Sequence, residues 1–200
     1  FIFAGELMGH GGISKRIVAW VLSIIGGVRG SLALTTVGTC TVFGAISGSS
    51  PATVAAVGRL LFDPLRNAGY NEKFSSGLLA SSGAIAVVIP PSIGMILYGA
   101  SAEQSVSLLF VAGIVPGLLM SFLMAAYIYA YAMRRGIRDA EGFSLGTFLT
   151  ASKQGVWALG TPVIILGGIY AGIFSPTESA GIACVYAIIV TRFVYGDISW

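Results

Sequence analysis

Small polar residues interrupt an uncharged part of the chain at SGSSPAT, residues 47–53. Four side chains there carry neutral hydroxyl oxygens: Ser47, Ser49, Ser50 and Thr53. Such oxygens suit a weakly held hard cation, and the hydroxyls can also donate hydrogen bonds to a carboxylate. Gly48 permits unusual backbone dihedral angles, and Pro51 fits the first turn of a second helix with Ser50 as its predicted cap. The stretch therefore has the chemistry for reversible binding, without a fixed charge.

A second interruption lies at residues 87–94, where VVIPPSIG contains the adjacent prolines Pro90 and Pro91. Because proline has no N–H group, the helix must open there, and we expect the carbonyl groups of Val88 and Ile89 to be freed. Further hydroxyl groups lie near this break, at Ser81, Ser82 and Ser92. The two breaks therefore carry the same kinds of oxygen atom.

A third interruption, GIFSPTESAG at residues 172–181, repeats the Ser-Pro pattern of the first and adds Thr177 and Glu178. Two interpretations of Glu178 stay open. It is either an acid in the first turn of a helix, where it satisfies free N–H groups, or, with Thr177, part of a polar pathway through the membrane.

The composition predicts the solvent around these breaks. Hydrophobic residues make up 56% of the 200 residues and charged residues only 10%, whereas a soluble domain has about 25% charged residues. Four uncharged runs reach the roughly 20 residues that a helix needs to cross a bilayer: residues 30–58, 74–102, 105–133 and 154–177. The chain is therefore predicted to be an all-α, polytopic membrane protein.

The same inventory excludes other classes of protein. A net charge of +3 without a basic run interleaved with aromatic residues argues against nucleic acid as a partner. His10 is the only histidine, and the apolar runs hold no Ser–His pair, aspartate pair or metal-ligand cluster. We therefore predict neither an enzyme nor a protein with a bound cofactor.

Five segments are predicted from these runs. Residues 1–30 form the end of a membrane helix and an interfacial helix, and residues 31–62 form a hairpin. Residues 74–99 form a broken membrane helix, 105–133 a membrane helix, and 144–195 begin with a second interfacial helix. The chain opens and closes in apolar sequence, which predicts a central fragment of a longer protein.

Basic residues predict the orientation of these segments. Residues 63–73 and 134–141, with Arg138 and Glu141 in the second group, are expected on the cytoplasmic side, and residues 100–104 outside. Residues 31–47 and 52–62 are each too short to cross a bilayer comfortably. The chain is therefore predicted to enter the membrane, turn at SGSSP and return on the same side, as a re-entrant hairpin.

Irregular backbone at membrane depth is tolerated only where protein covers it or where it lines a water-filled cavity. The breaks are therefore expected in one of these two settings. Free N–H groups at helix starts attract anions, and free C=O groups at helix ends attract cations. Transporters use broken helices in this way. The alternative is a kinked helix whose small residues serve close packing, and the GxxxG pair of Gly44 and Gly48 fits that interpretation.

Several motifs together resemble the large membrane subunit of tripartite ATP-independent periplasmic (TRAP) transporters. They are FAGELM, FGAISGSSPATVAAVG, NAGYNEKFSSGLLASSG, IPPSIGMILYGASAEQSVSLLFVAGIVPGLL and GGIYAGIFSPTESA. The resemblance covers nearly all of the chain, and the order and spacing of the motifs make it specific.

The resemblance implies a fold and a function. The fold would be two inverted repeats with re-entrant hairpins in a transport domain that moves as an elevator, and residues 144–195 would include the start of the second repeat. The function would be Na⁺-coupled uptake of an organic acid, such as a C4-dicarboxylate or a sialic acid, across the bacterial inner membrane. The partners would be a small DctQ-like membrane subunit and a periplasmic substrate-binding protein, and the second hairpin would lie beyond Trp200.

The resemblance also implies two sets of site residues. The expected substrate-binding residues are Ser47, Gly48, Ser49, Ser50, Pro51, Thr53, Pro90, Pro91 and Ser92. The expected Na⁺ ligands are Ser47, Gly48, Ser49, Ser81, Ser82, Gly83 and Ile89. A passive channel with re-entrant loops is the alternative function. The sequence does not name the substrate.

Overall fold

The protein is described from a computed structural model that covers residues 1–137, 139 and 142–197. Secondary structure in these residues is helical, which confirms the all-α prediction. The elements are α1 (Ile2–His10), α2 (Ile13–Ile25), α3 (Ser31–Ser47), α4 (Ser50–Asn67), α5 (Glu72–Val88), α6 (Ile93–Ser101), α7 (Val106–Arg135), α8 (Leu145–Tyr170) and α9 (Pro176–Ile189), with a π-helical turn at Val190–Val194.

Two helices are long and apolar enough to cross a bilayer in the described ranges: Val106–Arg135 and Pro176–Val194, the latter α9 with its π-helical turn. The pair α5 and α6 meets the same criterion as one span, but it is bent by 42° at the proline break. Helix α3 is apolar but shorter, with 17 residues. Length and composition therefore agree with a membrane protein, and the break between α5 and α6 lies at residues 89–92.

Helices α3 and α4 pack along one another as a helical hairpin. Ala33, Val37 and Cys40 of α3 share a buried cluster with a stripe on α4, composed of Val57, Leu61 and Leu65. The stripe recurs every four residues, so it lies on one helix face. Burial of Leu65 accompanies the continuation of α4 to Asn67, although the helix contains Pro64. Within the segment at 63–73 that is expected on the cytoplasmic side, only residues 68–71 therefore lie between helices.

The second predicted interfacial helix is continuous with the apolar segment that follows it. The segment at 144–195 was expected to begin with an interfacial helix, and the structure instead has one helix, α8, from Leu145 to Tyr170, despite Pro162. Buried Ala158, Thr161 and Ile165 recur at helical spacing on both sides of Pro162. Helix α2 packs against α8, and the Trp20 indole N–H donates to Ser152 Oγ at 3.1 Å.

The charged connections lie where the sequence expected turns. Residues 102–105 link α6 to α7, and Arg134 and Arg135 close α7. Arg138 and Glu141, which the orientation argument used, lie outside the described residues. The predicted cytoplasmic side stays a prediction.

Asp139, in the connection after α7, links that connection to the start of α3 by hydrogen bonds. Its Oδ1 accepts hydrogen bonds from the backbone N–H groups of Gly30 (2.8 Å) and Ser31 (3.1 Å), and its Oδ2 accepts one from Leu32 (3.0 Å). The Tyr70 hydroxyl donates to Oδ2 at 3.3 Å. A carboxylate is favoured at a helix N-terminus because the free N–H groups there point at it.

The Tyr70 hydroxyl is held in its neutral, donating form. Burial is the main cause that raises the pKa of the Tyr70 hydroxyl above its ordinary value, and the nearby Asp139 charge is the second. It therefore remains a hydrogen-bond donor throughout the physiological pH range. The loop at 68–71, the connection after α7 and the first turn of α3 meet at this carboxylate.

We expect Asp139→Ala in the full-length protein to cost about 1–2 kcal/mol of stability, because three N–H groups at the start of α3 lose their acceptor. Thermal unfolding of the purified protein measures this cost. Asp63→Ala is the matched control, since Asp63 is exposed and accepts no side-chain hydrogen bond from the residues that the structure describes. Equal melting temperatures for the two variants would contradict the capping role.

Candidate functional site

The first two helix breaks are in direct contact. Helix α3 ends at Ser47, and its C-cap residue Gly48 has a φ of 60°, in the left-handed region. The Ile93 N–H group, at the start of α6, donates to the Gly48 carbonyl oxygen at 3.3 Å. A Cβ atom on residue 48 would overlap the Pro91 carbonyl oxygen. Both the dihedral angle and the lack of space therefore require glycine at the hairpin tip.

A pair of buried hydroxyl groups links the two arms of the hairpin at its tip. Ser47 Oγ and Thr53 Oγ1 are 2.8 Å apart, and both side chains are fully buried. Ser47 Oγ also donates to the Ser49 carbonyl oxygen at 3.4 Å. The predicted cap at Ser50 is wrong by one residue, because Ser49 has the extended N-cap conformation and Ser50 begins α4. The Ser49 side chain makes no capping hydrogen bond.

The two prolines deprive two carbonyl oxygens of their helical donors. In a continuous helix the carbonyl groups of Ala86 and Val87 would accept from residues four positions later, which are Pro90 and Pro91. The Val87 oxygen accepts instead from the Ser92 hydroxyl, and the same side chain caps α6. No such replacement reaches the Ala86 oxygen from the described part of the chain. The break therefore leaves an acceptor beside the hairpin.

The carbonyl groups expected to be free lie at the end of α5. Neither the Val88 nor the Ile89 oxygen accepts a hydrogen bond from residues 1–137, 139 or 142–197. The Val88 oxygen faces Gly113 of α7, where an added Cβ would lie 2.7 Å from it. Close approach of α7 thus covers one side of the proline break.

Ser82 has a buried hydroxyl oxygen without a hydrogen-bond partner in the described structure. It lies one turn before Ala86, which packs against Gly44 of α3: a Cβ on Gly44 would lie 2.8 Å from the Ala86 Cα. The next residue, Gly83, faces the start of α4, where a Cβ would lie 3.3 Å from Ser50 Oγ. Ser82 therefore lies on the face of α5 that packs against α3, next in sequence to a residue that faces the start of α4.

The starts of α4 and α6 face outwards, whereas the residues between them are buried. Pro51 and Gly94, in the first turns of the two helices, are exposed. The buried residues are Ser47, Gly48, Ile89, Pro90, Pro91 and Ser92. Within the described ranges, the N–H groups of Ala52 and Gly94 donate no hydrogen bond to the backbone or to a side chain. Two helix N-termini with free donors thus have exposed first turns beside the buried contact.

The structure brings together most of the predicted site residues. The hairpin tip consists of Ser47, Gly48, Ser49, Ser50, Pro51 and Thr53. The broken helix beside it contributes Ser82, Gly83, Ile89, Pro90, Pro91 and Ser92. Ser81 is not brought to the tip. It is exposed on the side of α5 towards α7, and its hydroxyl donates to the Gly77 carbonyl oxygen at 2.7 Å.

Thr177 and Glu178 lie at the third break, in the first turn of α9. The Glu178 carboxylate accepts from the Ser175 N–H at 2.8 Å, and the Glu178 N–H donates to Ser175 Oγ at 3.2 Å. These reciprocal bonds form a capping box. Of the two interpretations of Glu178, the geometry matches the acid that satisfies helix N–H groups.

Close packing and helix breaking both occur at the first break. Gly44 permits the contact with α5, and Gly48 permits the turn, so the GxxxG pair serves both interpretations. Sequence reasoning missed the contribution of α1, where a Cβ on Gly5 would lie 2.7 Å from Ser47 Cβ. The small residue within FAGELM was the available signal for that contact.

The chemistry of this site is that of neutral oxygen atoms and peptide groups. The described residues include no group of three or more His, Cys, Asp or Glu side chains that could hold a metal ion. Hydroxyl and carbonyl oxygens without a carboxylate fit a weakly held monovalent cation better than a tightly bound divalent one. The helix starts nearby supply donors for an anion.

Comparison with known protein families identifies a match over the entire chain. The family model described as "Tripartite ATP-independent periplasmic transporter, DctM component" matches residues 1–200.

Curated relatives agree with that match. The isethionate TRAP transporter permease protein DctMQ of Oleidesulfovibrio alaskensis is 46% identical over all of this chain and 32% of its own length. The ectoine/5-hydroxyectoine large permease protein UehC of Ruegeria pomeroyi is 43% identical, over all of this chain and 46% of its own length. The C4-dicarboxylate large permease protein DctM of Pseudomonas aeruginosa is 42% identical, over 98% of this chain and 46% of its own length. The chain thus spans a third to a half of these relatives.

We expect Gly48→Ala to destabilise the full-length protein by about 1–2 kcal/mol from the left-handed backbone alone, with more from the overlap with Pro91. Thermal unfolding measures the loss. Gly58→Ala is the matched control in the same hairpin, because an added Cβ there makes only an ordinary 3.7 Å contact with Leu79. If Gly48→Ala is as stable as Gly58→Ala, the contact between the two breaks is not what the structure indicates.

Proposed function

The chain belongs to the DctM component family of tripartite ATP-independent periplasmic transporters, and from this premise we propose that it takes part in Na⁺-coupled uptake of an organic anion. The observation that carries the proposal is the contact between Gly48 and Ile93, which joins two helix breaks. Buried oxygen atoms lie on the inner side of that junction, and two helix starts lie on its open side. The names of the relatives, all permeases, favour transport over catalysis.

Na⁺ would bind among the buried oxygens. The Ser82 hydroxyl oxygen is a buried acceptor without a partner in the described chain, and Ser47 and Thr53 supply two more hydroxyl oxygens at the tip. Ile89, Gly48 and Ser49 would contribute carbonyl oxygens. An ion that replaces missing hydrogen bonds without a counter-charge is held weakly, as release on the other side of the membrane requires.

The substrate anion would bind on the open side, at the starts of α4 and α6. Free N–H groups and the positive ends of two helix dipoles favour a negative group there, and Ser50, Pro51 and Ser92 lie beside it. The named substrates of the relatives include dicarboxylates and isethionate, a sulfonate. The proposed substrate class is therefore an organic acid with a carboxylate or another anionic group.

The hairpin of α3 and α4 would be re-entrant, and the bent pair α5 and α6 would move with it as an elevator against the rest of the subunit. Support comes from the short apolar α3, from the 42° bend and from the backbone hydrogen bond that ties the two breaks. The site would thus cross the bilayer as one body.

The remaining parts of the proposal rest on the family. The protein would lie in the bacterial inner membrane as a multi-pass subunit, with a small DctQ-like membrane subunit and a periplasmic substrate-binding protein as partners. The name DctMQ of one relative supports the first partnership.

We expect Ser82→Ala to raise the Na⁺ concentration for half-maximal uptake on the order of tenfold, because one bond to a charged group is worth about 1.5–3 kcal/mol. Stability in Na⁺-free buffer should not fall, since the hydroxyl oxygen has no partner to lose. Uptake by the complete transporter in proteoliposomes and thermal unfolding measure the two effects.

Ser75→Ala is the matched control for this experiment. Ser75 is also buried on α5 with a hydroxyl oxygen that lacks a partner in the described residues, but it lies seven residues, about 10 Å, from Ser82. Its removal should leave the Na⁺ dependence unchanged. The same dependence for wild type, Ser82→Ala and Ser47→Ala would refute the ion site.

Uptake without an ion gradient separates the proposal from a passive channel. We expect accumulation of substrate against its concentration gradient only when Na⁺ is higher outside the vesicles and the binding protein is present. Flux that continues with neither would favour the channel.

A further inference from the structure

We propose that the groove between α5 and α7 holds an anionic phospholipid, with its headgroup phosphate at Lys73 and an acyl chain along the groove. The groove has a volume of about 510 Å³. Its lining is mostly apolar and consists of Lys73, Phe74, Gly77, Leu78, Ser81, Leu123, Met124, Tyr127 and Ile128. The proposal uses none of the residues of the transport site except Ser81, which the structure places away from it.

The interior of the groove is suited to a hydrocarbon chain. Gly77 leaves open space in the wall, because an added Cβ would have no neighbour within 4 Å. Ser81 is the last residue of α5 that lines the groove. Its hydroxyl donates to the Gly77 and Leu78 carbonyl oxygens and needs no other partner. Leu123 and Met124 of α7 form the opposite wall. The interior of the groove thus offers an occupant contact with apolar atoms, and its Ser81 hydroxyl is already hydrogen-bonded within α5.

The mouth of the groove has the composition of a headgroup region. Lys73 is exposed and has no carboxylate within salt-bridge distance among the described residues. Phe74 stacks between Tyr70 and Tyr131, with ring centroids 5.5 and 4.2 Å apart, and Arg135 lies 5.6 Å from the Tyr131 ring. Aromatic and basic side chains gather at the level of lipid headgroups. An anionic phosphate complements the free Lys73 ammonium.

The length of the groove matches one leaflet of a bilayer. Lys73 and Ser81 are eight residues apart, about 12 Å along α5, and one leaflet is half of a hydrocarbon core about 30 Å thick. An acyl chain whose headgroup lies at Lys73 therefore fits along the groove without crossing the midplane of the bilayer.

The test uses the complete transporter in phosphatidylcholine nanodiscs with and without phosphatidylglycerol, measured by native mass spectrometry and thermal unfolding. We expect the wild type to retain phosphatidylglycerol and to melt at a higher temperature in its presence. Lys73→Gln should lose both effects, and Lys73→Arg should keep them. Lys153→Gln is the matched control, because Lys153 is exposed on α8, away from the groove, and it should behave as the wild type.

A second variant tests the acyl chain. Gly77→Leu should fill the groove and abolish retention of the lipid, while the melting temperature in phosphatidylcholine alone stays at or above that of the wild type. Retention of phosphatidylglycerol by Lys73→Gln at the wild-type level would overturn the proposal. So would a cross-link from Ser81→Cys to another segment of the chain or to the small subunit, because protein would then cover the groove.

Discussion

One backbone hydrogen bond, from the Ile93 N–H to the Gly48 carbonyl, sets the geometry of this structure. In lipid, peptide groups released by a broken helix must find partners within the protein. Gly48 meets this constraint by letting the hairpin tip approach the proline break so closely that no side chain fits between them. Because this contact is made by backbone atoms, the two breaks form one junction. The junction positions α3 and α4 on one side and α5 and α6 on the other.

The polar groups at the junction differ in their exposure to solvent. Hydroxyl and carbonyl oxygens lie on its buried side, and the starts of α4 and α6 reach its open side. Buried acceptor oxygens and exposed N–H donors therefore lie at the same four helix ends. A site of this kind needs no ionised side chain, which explains how an uncharged run of nearly thirty residues can contain the chemistry that the family membership leads us to expect.

The breaks were predictable because their signals are local, whereas the extents of the helices were not. Gly48 and Pro90 mark helix ends by backbone chemistry alone. Helices α4 and α8 continue through Pro64 and Pro162 beside buried residues such as Leu65, and tertiary packing of that kind is invisible to a local signal. Ser81 and Ser82 look alike in sequence, and only the direction in which α5 packs separates them. Asp139 caps a helix 109 residues earlier, and no spacing rule reaches that far.

The glycines around the junction bear on how this fold can diversify. Gly5, Gly44, Gly48 and Gly83 each sit where an added methyl group would collide with another segment of the chain. Replacement at these positions forces the neighbouring segments apart, because there is no room for a side chain. Sequence change is therefore expected to accumulate at exposed positions around the junction, while the backbone path through the two breaks is kept.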